Sequence, residues 1–349
     1  MTNLGSQIAN HKQNNLNIMR LLLALMVIFS HSFPVAFGPG GDTRAEPLNI
    51  WTHRQASSGA VAVNSFFFIS GLLITASWLR SKSVPDYFMK RVLRIYPGFI
   101  VATGFSAALI WTFCPAFRAA VVHPLDWFGW LLKDWLLLTT KSLTQPGVFA
   151  RNPFPVLANA SLWTIPVEFT CYLFVLLVGL FGLLKRRRLI LMAAALGYEI
   201  YVGGLFYGND QYNQCWICFV AGVVAWLWQG RIPFSKCIAG GCLVGLLGAS
   251  QFRPWFSILF PVLGGYCILW LAYGPTLLLS NWADKMDLSY GAYLYAFPVQ
   301  QMLAMNAAFR RPLVIFLLAT PVTLLCAWLS WTLVEKRFLA MKNRARKSG

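Results

Sequence analysis

Residues 20–31 read RLLLALMVIFSH, an apolar run with a basic side chain at each end. At about 100° and 1.5 Å per residue, the eleven positions from Arg20 to His31 return to nearly the same helix face, about 16 Å further along the axis. The run is apolar enough to help cross a bilayer. An ionisable group inside such a segment is expensive and usually functional. Its reading decides the fold class and places candidate chemistry near the outer end of a first transmembrane helix.

The rest of the chain supports that setting. Of 349 residues, 58 % are hydrophobic and 11 % charged, whereas charged residues make up about a quarter of a soluble domain. Spanning-length apolar runs recur from end to end, so the expected fold is all-α, a polytopic bundle of about ten transmembrane helices. Residues 17–37 lack a small-residue cleavage site and read as a retained helix rather than a signal peptide. The net charge of +18 collects at helix ends, as topology and anionic headgroups require, so no nucleic acid is expected as a partner. The eight cysteines lie almost wholly in apolar runs and read as buried helical residues. Cys215 and Cys218 form a CxxC without a second pair or a nearby histidine. No metal is expected.

The expected spans are about 17–37, 60–79, 95–114, 161–184, 189–207, 213–229, 237–250, 255–273, 289–306 and 312–333. The cationic stretch RSKSVPDYFMKRVLR after the second span should stay cytoplasmic, which puts the N-terminus inside and the first loop outside. Lys185 to Arg188 should also lie inside. By parity, residues 115–160 then all lie outside, and 126–139 is an interfacial or re-entrant helix bearing Trp127, Phe128, Trp130 and Trp135. Both termini are cytoplasmic on this reading. Residues 1–16, with His11 and Lys12, form a polar tail or surface helix, and 334–349 form a basic tail. The whole of 1–349 is expected to be one transmembrane domain with no appended soluble domain.

Walker A, dinucleotide GxGxxG, HExxH and GxSxG motifs are all lacking. What remains are polar residues placed where the membrane should exclude them. His31 could serve as a general base or nucleophile, since imidazole alone titrates near neutral pH unperturbed. Arg91 and Arg94, in KRVLRIYPGF, share a helix face at the expected cytoplasmic start of the third span, where Pro97 fits the first turn. Two guanidinium groups with a helix N-terminus suit a phosphorylated ligand, and Arg20 could join them. Glu168, about two turns into the fourth span, needs a partner to remain charged; His31 and an arginine are both available. His53 and His123 fall in outer loops.

Five blocks together resemble the membrane-bound acyltransferase 3 family, multi-pass enzymes that O-acetylate bacterial surface polysaccharides. The blocks are Arg20 to His31, VNSFFFISGLLI at 63–74, KRVLRIYP at 90–97, SLWTIPVEFTCYLF at 161–174, and, near the end, LSYGAYLYAFPVQQ with LSWTLVEKRF. Three positions depart from the family pattern: Asn64 stands where many members have Asp, Ala62 replaces a frequent Gly, and Ala296 stands where many have His. The resemblance implies acetyl-CoA (or another acyl-CoA) as the donor on the cytoplasmic side of a bacterial inner membrane. The acceptor it implies is a carbohydrate hydroxyl on the outer side. Under it His31 and Glu168 are the catalytic candidates, Arg20, Arg91 and Arg94 hold the acyl-CoA, and Ser70 and Trp163 face substrate. The rival from another class is a proton-coupled secondary transporter of a sugar or lipid-linked intermediate. It would call for repeated halves with matching broken helices, and no repeat is visible.

Overall fold

A computed structural model describes residues 2–10, 14–121, 123–137, 143–207, 211–277 and 280–345. His11 and Lys12, the end of the expected 126–139 helix and the last four residues of the basic tail lie outside them. Every named element among the described residues is a helix, and β-type pairing is confined to two isolated bridges, Asn3 with Pro233 and Thr144 with Leu157.

Six helices are long and apolar enough to cross a membrane: Leu16–Phe37, Ser58–Leu79, Val84–Phe113, Ala160–Leu180, Trp255–Tyr273 and Pro312–Met341. The other four expected spans are also helical but did not meet that criterion among the described residues. They are Arg187–Tyr207, Gln211–Leu227, Lys236–Ala249 and Ser289–Ala304, of 21, 17, 14 and 16 residues. Large apolar side chains point outward on Pro312–Met341, among them Leu313, Leu317, Leu325 and Leu333, each more than half exposed. Such surfaces belong in lipid, where the bilayer replaces the missing core. The chain is a multi-pass membrane protein.

The third span departs from expectation. Its helix begins at Val84 rather than near residue 95. The start signal lies inside the cationic stretch: Ser83 Oγ accepts from the Asp86 amide at 3.3 Å, and Asp86 in turn accepts from the Lys82 amide at 3.1 Å. Pro97 is therefore an interior proline. Arg91 and Arg94 stand about two and three turns in, beyond the reach of the helix-end dipole, which fades within the first turn.

The chain folds as two compact units, one formed by Met1–Leu23, Pro47–Tyr87 and Glu168–Lys285, the other by Ala24–Glu46, Phe88–Val167 and Met286–Gly349. In the first unit, Ser58–Leu79 and Gln211–Leu227 meet backbone to backbone. A Cβ at Gly71 would lie 2.0 Å from the Phe219 carbonyl oxygen, and one at Gly222 would lie 2.1 Å from that of Phe68. Small residues allow such an approach where no hydrophobic force drives helices together in lipid. Beside this crossing, the buried Asn64 donates to Gln214 Oε1 at 3.3 Å, so the residue that departs from the family's Asp makes a neutral amide pair. The N-terminal segment is docked rather than loose. Leu4 is fully buried in the helix Leu4–Asn10, and the Leu4 and Gly5 amides bond the Ile232 and Gln229 carbonyls. Asn15 then makes four side-chain bonds, to Leu271, Pro275, Leu277 and Ser280.

In the second unit the central element is Ser289–Ala304, buried on nearly every side. Gly291 lets it approach Pro312–Ser330, because a Cβ there would lie 2.8 Å from the Ala327 Cα. Its polar side chains are bonded to backbone around it. Tyr290 Oη donates to the Ile95 carbonyl at 2.9 Å, Tyr293 Oη to that of Ser161 at 3.0 Å, and Gln300 Nε2 to that of Ile28 at 2.6 Å. Gln301 Nε2 reaches the carbonyls of Phe154 and Leu157 and its Oε1 accepts from Asn152. Satisfying polar atoms internally is the condition for keeping them where water is scarce.

Candidate active site

The candidate residues divide between the units. His31, Arg91, Arg94 and Trp163 belong to the second, and Arg20, Ser70 and Glu168 to the first.

His31 stands in the last two turns of Leu16–Phe37. The Phe297 ring meets the imidazole edge-on, with centroids 5.3 Å apart and planes at 88°, and Phe154 meets Phe297 in turn at 5.9 Å and 82°. Phe297 is 1 % exposed and heads a cluster with Val35, Ala36, Ala304 and Ile315, onto which Phe154, Leu157 and Ala160 pack. The imidazole is thus fixed by apolar packing. Its Nδ1 is buried and has no hydrogen-bond partner among the described residues. A buried polar atom without a partner costs on the order of 1–3 kcal/mol, and such atoms in native structures call for an explanation, a catalytic role among them. One turn before His31, Gln300 Nε2 takes the Ile28 carbonyl.

The arginine cluster is built in the opposite way. Arg94 donates through Nη2 to Asp287 Oδ2 at 2.5 Å, while Asp287 Oδ1 accepts from Ser289 Oγ at 2.6 Å. The guanidinium carbon lies 5.8 Å from the centroid of the Tyr290 ring, within range of a cation–π attraction. Arg94 and Asp287 are 19 % and 13 % exposed, so water screens the pair only partly. One turn along the helix, Gly98 admits Tyr290 and Glu335 to its backbone. A Cβ there would lie 2.9 Å from Tyr290 Cε1 and 3.3 Å from the Glu335 carboxyl carbon. Glu335, 3 % exposed, accepts from Ser330 Oγ at 2.8 Å. A π-helical turn, Trp331–Glu335, carries this glutamate, and such turns recur at functional positions. Arg91 is half-buried on the same helix.

In the first unit Glu168 and Ser70 come together. Ser70 Oγ donates to Glu168 Oε1 at 3.5 Å, and Tyr172 Oη, one turn on, donates to the same oxygen. Arg20 is half-buried. In the second unit Trp163, also half-buried, ends the 3₁₀ turn Ala160–Trp163, which Asn159 caps by accepting from the Ser161 amide. His53 and His123 are exposed.

Asp287, Ser289 and Phe297 were missed in the sequence. Asp287 pairs across 193 residues of chain; its only signal was an acid immediately ahead of LSYGAYLY. Phe297 had none beyond its place in the same block.

The family model described as an acyltransferase domain, that of the acyltransferase 3 family, matches residues 13–332. An O-acetyl transferase of Shigella phage Sf6 is 26 % identical, over 95 % of this chain and 98 % of that protein. A nodulation protein 10 of Rhizobium leguminosarum bv. viciae is 29 % identical, over 95 % of this chain and 94 % of its own length. No solved structure matches the chain.

Proposed function

Because the chain belongs to the acyltransferase 3 family, we propose that it is an O-acetyltransferase. On this reading it moves an acetyl group from cytoplasmic acetyl-CoA to a hydroxyl of a surface or exported carbohydrate, across the inner membrane of a bacterium. The name of the phage relative supports acetyl transfer to oxygen. The observation that carries the chemistry is the buried Nδ1 of His31, which has no partner among the described residues. An imidazole held in place by packing, with a nitrogen bonded to no group among the described residues, can take a proton from a hydroxyl that reaches it.

His31 removes that proton as the sugar oxygen attacks the thioester carbonyl carbon. The carbon–sulfur bond breaks, an ester forms, and CoA leaves as the thiol after the proton is returned to sulfur. Glu168, held by Ser70 and Tyr172, is the second catalytic candidate of this reading. Arg94, aimed by Asp287, and Arg91 take the CoA phosphates; Arg20, in the first unit, is the further acyl-CoA candidate of this reading. Trp163 borders the substrate. A narrow path for the pantetheine arm joins the arginines to His31. Ten spans with both termini cytoplasmic, and the 126–139 region lying at the outer interface, complete this topology.

Replacing His31 by Ala tests the reading. Surface polysaccharide from cells bearing H31A should lose its O-acetyl groups in mass spectra, a drop of at least about a hundredfold, with membrane expression unchanged. Retained acetylation refutes the role of His31. Loss of the whole polysaccharide would instead indicate transport.

A further inference from the structure

The second unit contains a cavity of about 600 Å³ that the chemistry above does not use. Phe117, His123, Asp126, Trp127, Lys133 and Gln145 help to line it. Its volume lies within the roughly 300–1,000 Å³ of small-molecule sites, and its make-up has their form, an apolar wall with a few polar groups. The aromatic wall is rigid. Trp127 stacks on Trp111 at 5.7 Å with planes 16° apart, and Phe117 meets Trp127 at 5.2 Å and 66°.

We propose that this cavity is the subsite that grips the carbohydrate acceptor, which rests on the O-acetyltransferase reading. The polar lining carries one carboxylate, one ammonium, one amide and one imidazole. That mixture favours neither an anion nor a cation. It offers donors and acceptors together, which suits a neutral ring with many hydroxyl groups and an apolar C–H face. Trp127 lines the cavity, and its Nε1 is buried and has no acceptor among the described residues.

The walls are pinned, and one of them leads to the histidine. Gly147, at φ +83°, packs so closely that a Cβ would lie 3.0 Å from the Phe117 amide nitrogen, and the Phe149 amide donates to Cys114 Sγ at 3.3 Å. The loop carrying Gln145 closes on itself through Gln145 to Val156 and Val156 to Val148 backbone bonds. It continues to Asn152, bonded to Gln301, and to Phe154, which packs on the ring that meets His31. The loop that carries Gln145 thus also carries Phe154, two ring contacts from His31. On the helix Pro124–Trp135, Asp126 and Lys133 share a face beside an apolar stripe of Leu125, Phe128 and Leu132, exposed by 81 %, 52 % and 44 %. The cavity is thus offered at the edge of an apolar surface, where a glycan could pass at membrane level.

The test uses the full-length protein in nanodiscs of phosphatidylethanolamine with phosphatidylglycerol, radiolabelled acetyl-CoA, and the producing cell's surface polysaccharide stripped of acetyl groups by mild alkali. Gln145→Ala, Asp126→Asn and Trp127→Phe, the last removing the indole N–H donor together with part of the ring, are compared with the unaltered protein. The polysaccharide concentration for half-maximal rate should rise about tenfold in each, while the KM for acetyl-CoA stays fixed, which also certifies folding. Unchanged acceptor saturation in all three variants, with the unaltered protein active, overturns the subsite alone. Rates that follow phosphatidylglycerol content rather than polysaccharide concentration assign the cavity to lipid headgroups and overturn it as well. An unaltered protein that acetylates no polysaccharide removes the carbohydrate acceptor and the subsite together.

Discussion

The histidine and arginine ends of the second unit hold their nitrogen groups in opposite ways. His31 is fixed by an aromatic edge and its Nδ1 has no partner among the described residues. Arg94 is fixed by a carboxylate that is itself held by a hydroxyl, with a phenol ring alongside. The contrast separates two jobs. A base must be free to change its protonation state, so packing rather than hydrogen bonding should aim it. A guanidinium never changes its charge and serves by direction alone, so a salt bridge can aim it without cost to its task.

Breaking the arginine clamp should have the largest effect. Arg94→Ala removes the guanidinium that Asp287 aims, and the expected result is a rise in the KM for acetyl-CoA of about a hundredfold. Asp287→Asn keeps the shape and loses the charge, for a rise of about tenfold with kcat nearly unchanged. A double-mutant cycle between the two should give a coupling of about 1.5–3 kcal/mol. Additive effects would show that Asp287 does not position Arg94.

The histidine end should respond in kcat instead. Phe297→Leu removes the ring that meets the imidazole and opens a small void, so kcat should fall several-fold at constant KM for donor, with about 1–1.5 kcal/mol lost in unfolding. A change in donor KM alone would erase the distinction between the two ends. The smallest expected effect is at Ser289→Ala. It takes one hydroxyl from Asp287, about 1 kcal/mol, and should raise the donor KM two- to five-fold in the same assay.

Much of this architecture was legible because a membrane chain makes polar residues conspicuous. His31 and the arginines stood out against apolar surroundings, and all ten expected spans fall on helices. The start of the arginine helix did not, because Pro97 imitates a first turn while the real capping residues, Ser83 and Asp86, hide among lysines and arginines. The N-terminal segment read as a tail or surface helix because no local pattern shows that Leu4 and Asn15 find partners more than 200 residues away. The clamp on Arg94 was hidden for the same reason. Pairings that close only in three dimensions leave no periodicity behind.

The many polar side chains of Ser289–Ala304 also bear on biogenesis. A segment of sixteen residues carrying Ser289, two glutamines and three tyrosines is a poor candidate to leave the translocon for lipid by itself. Its glutamine amides, however, bond carbonyls of Ile28, Phe154 and Leu157, all of which precede it in the chain. By the time the ribosome reaches residue 304, these acceptors have been synthesised and the segment can enter against them. Order of synthesis thereby does for this helix what hydropathy does for its neighbours.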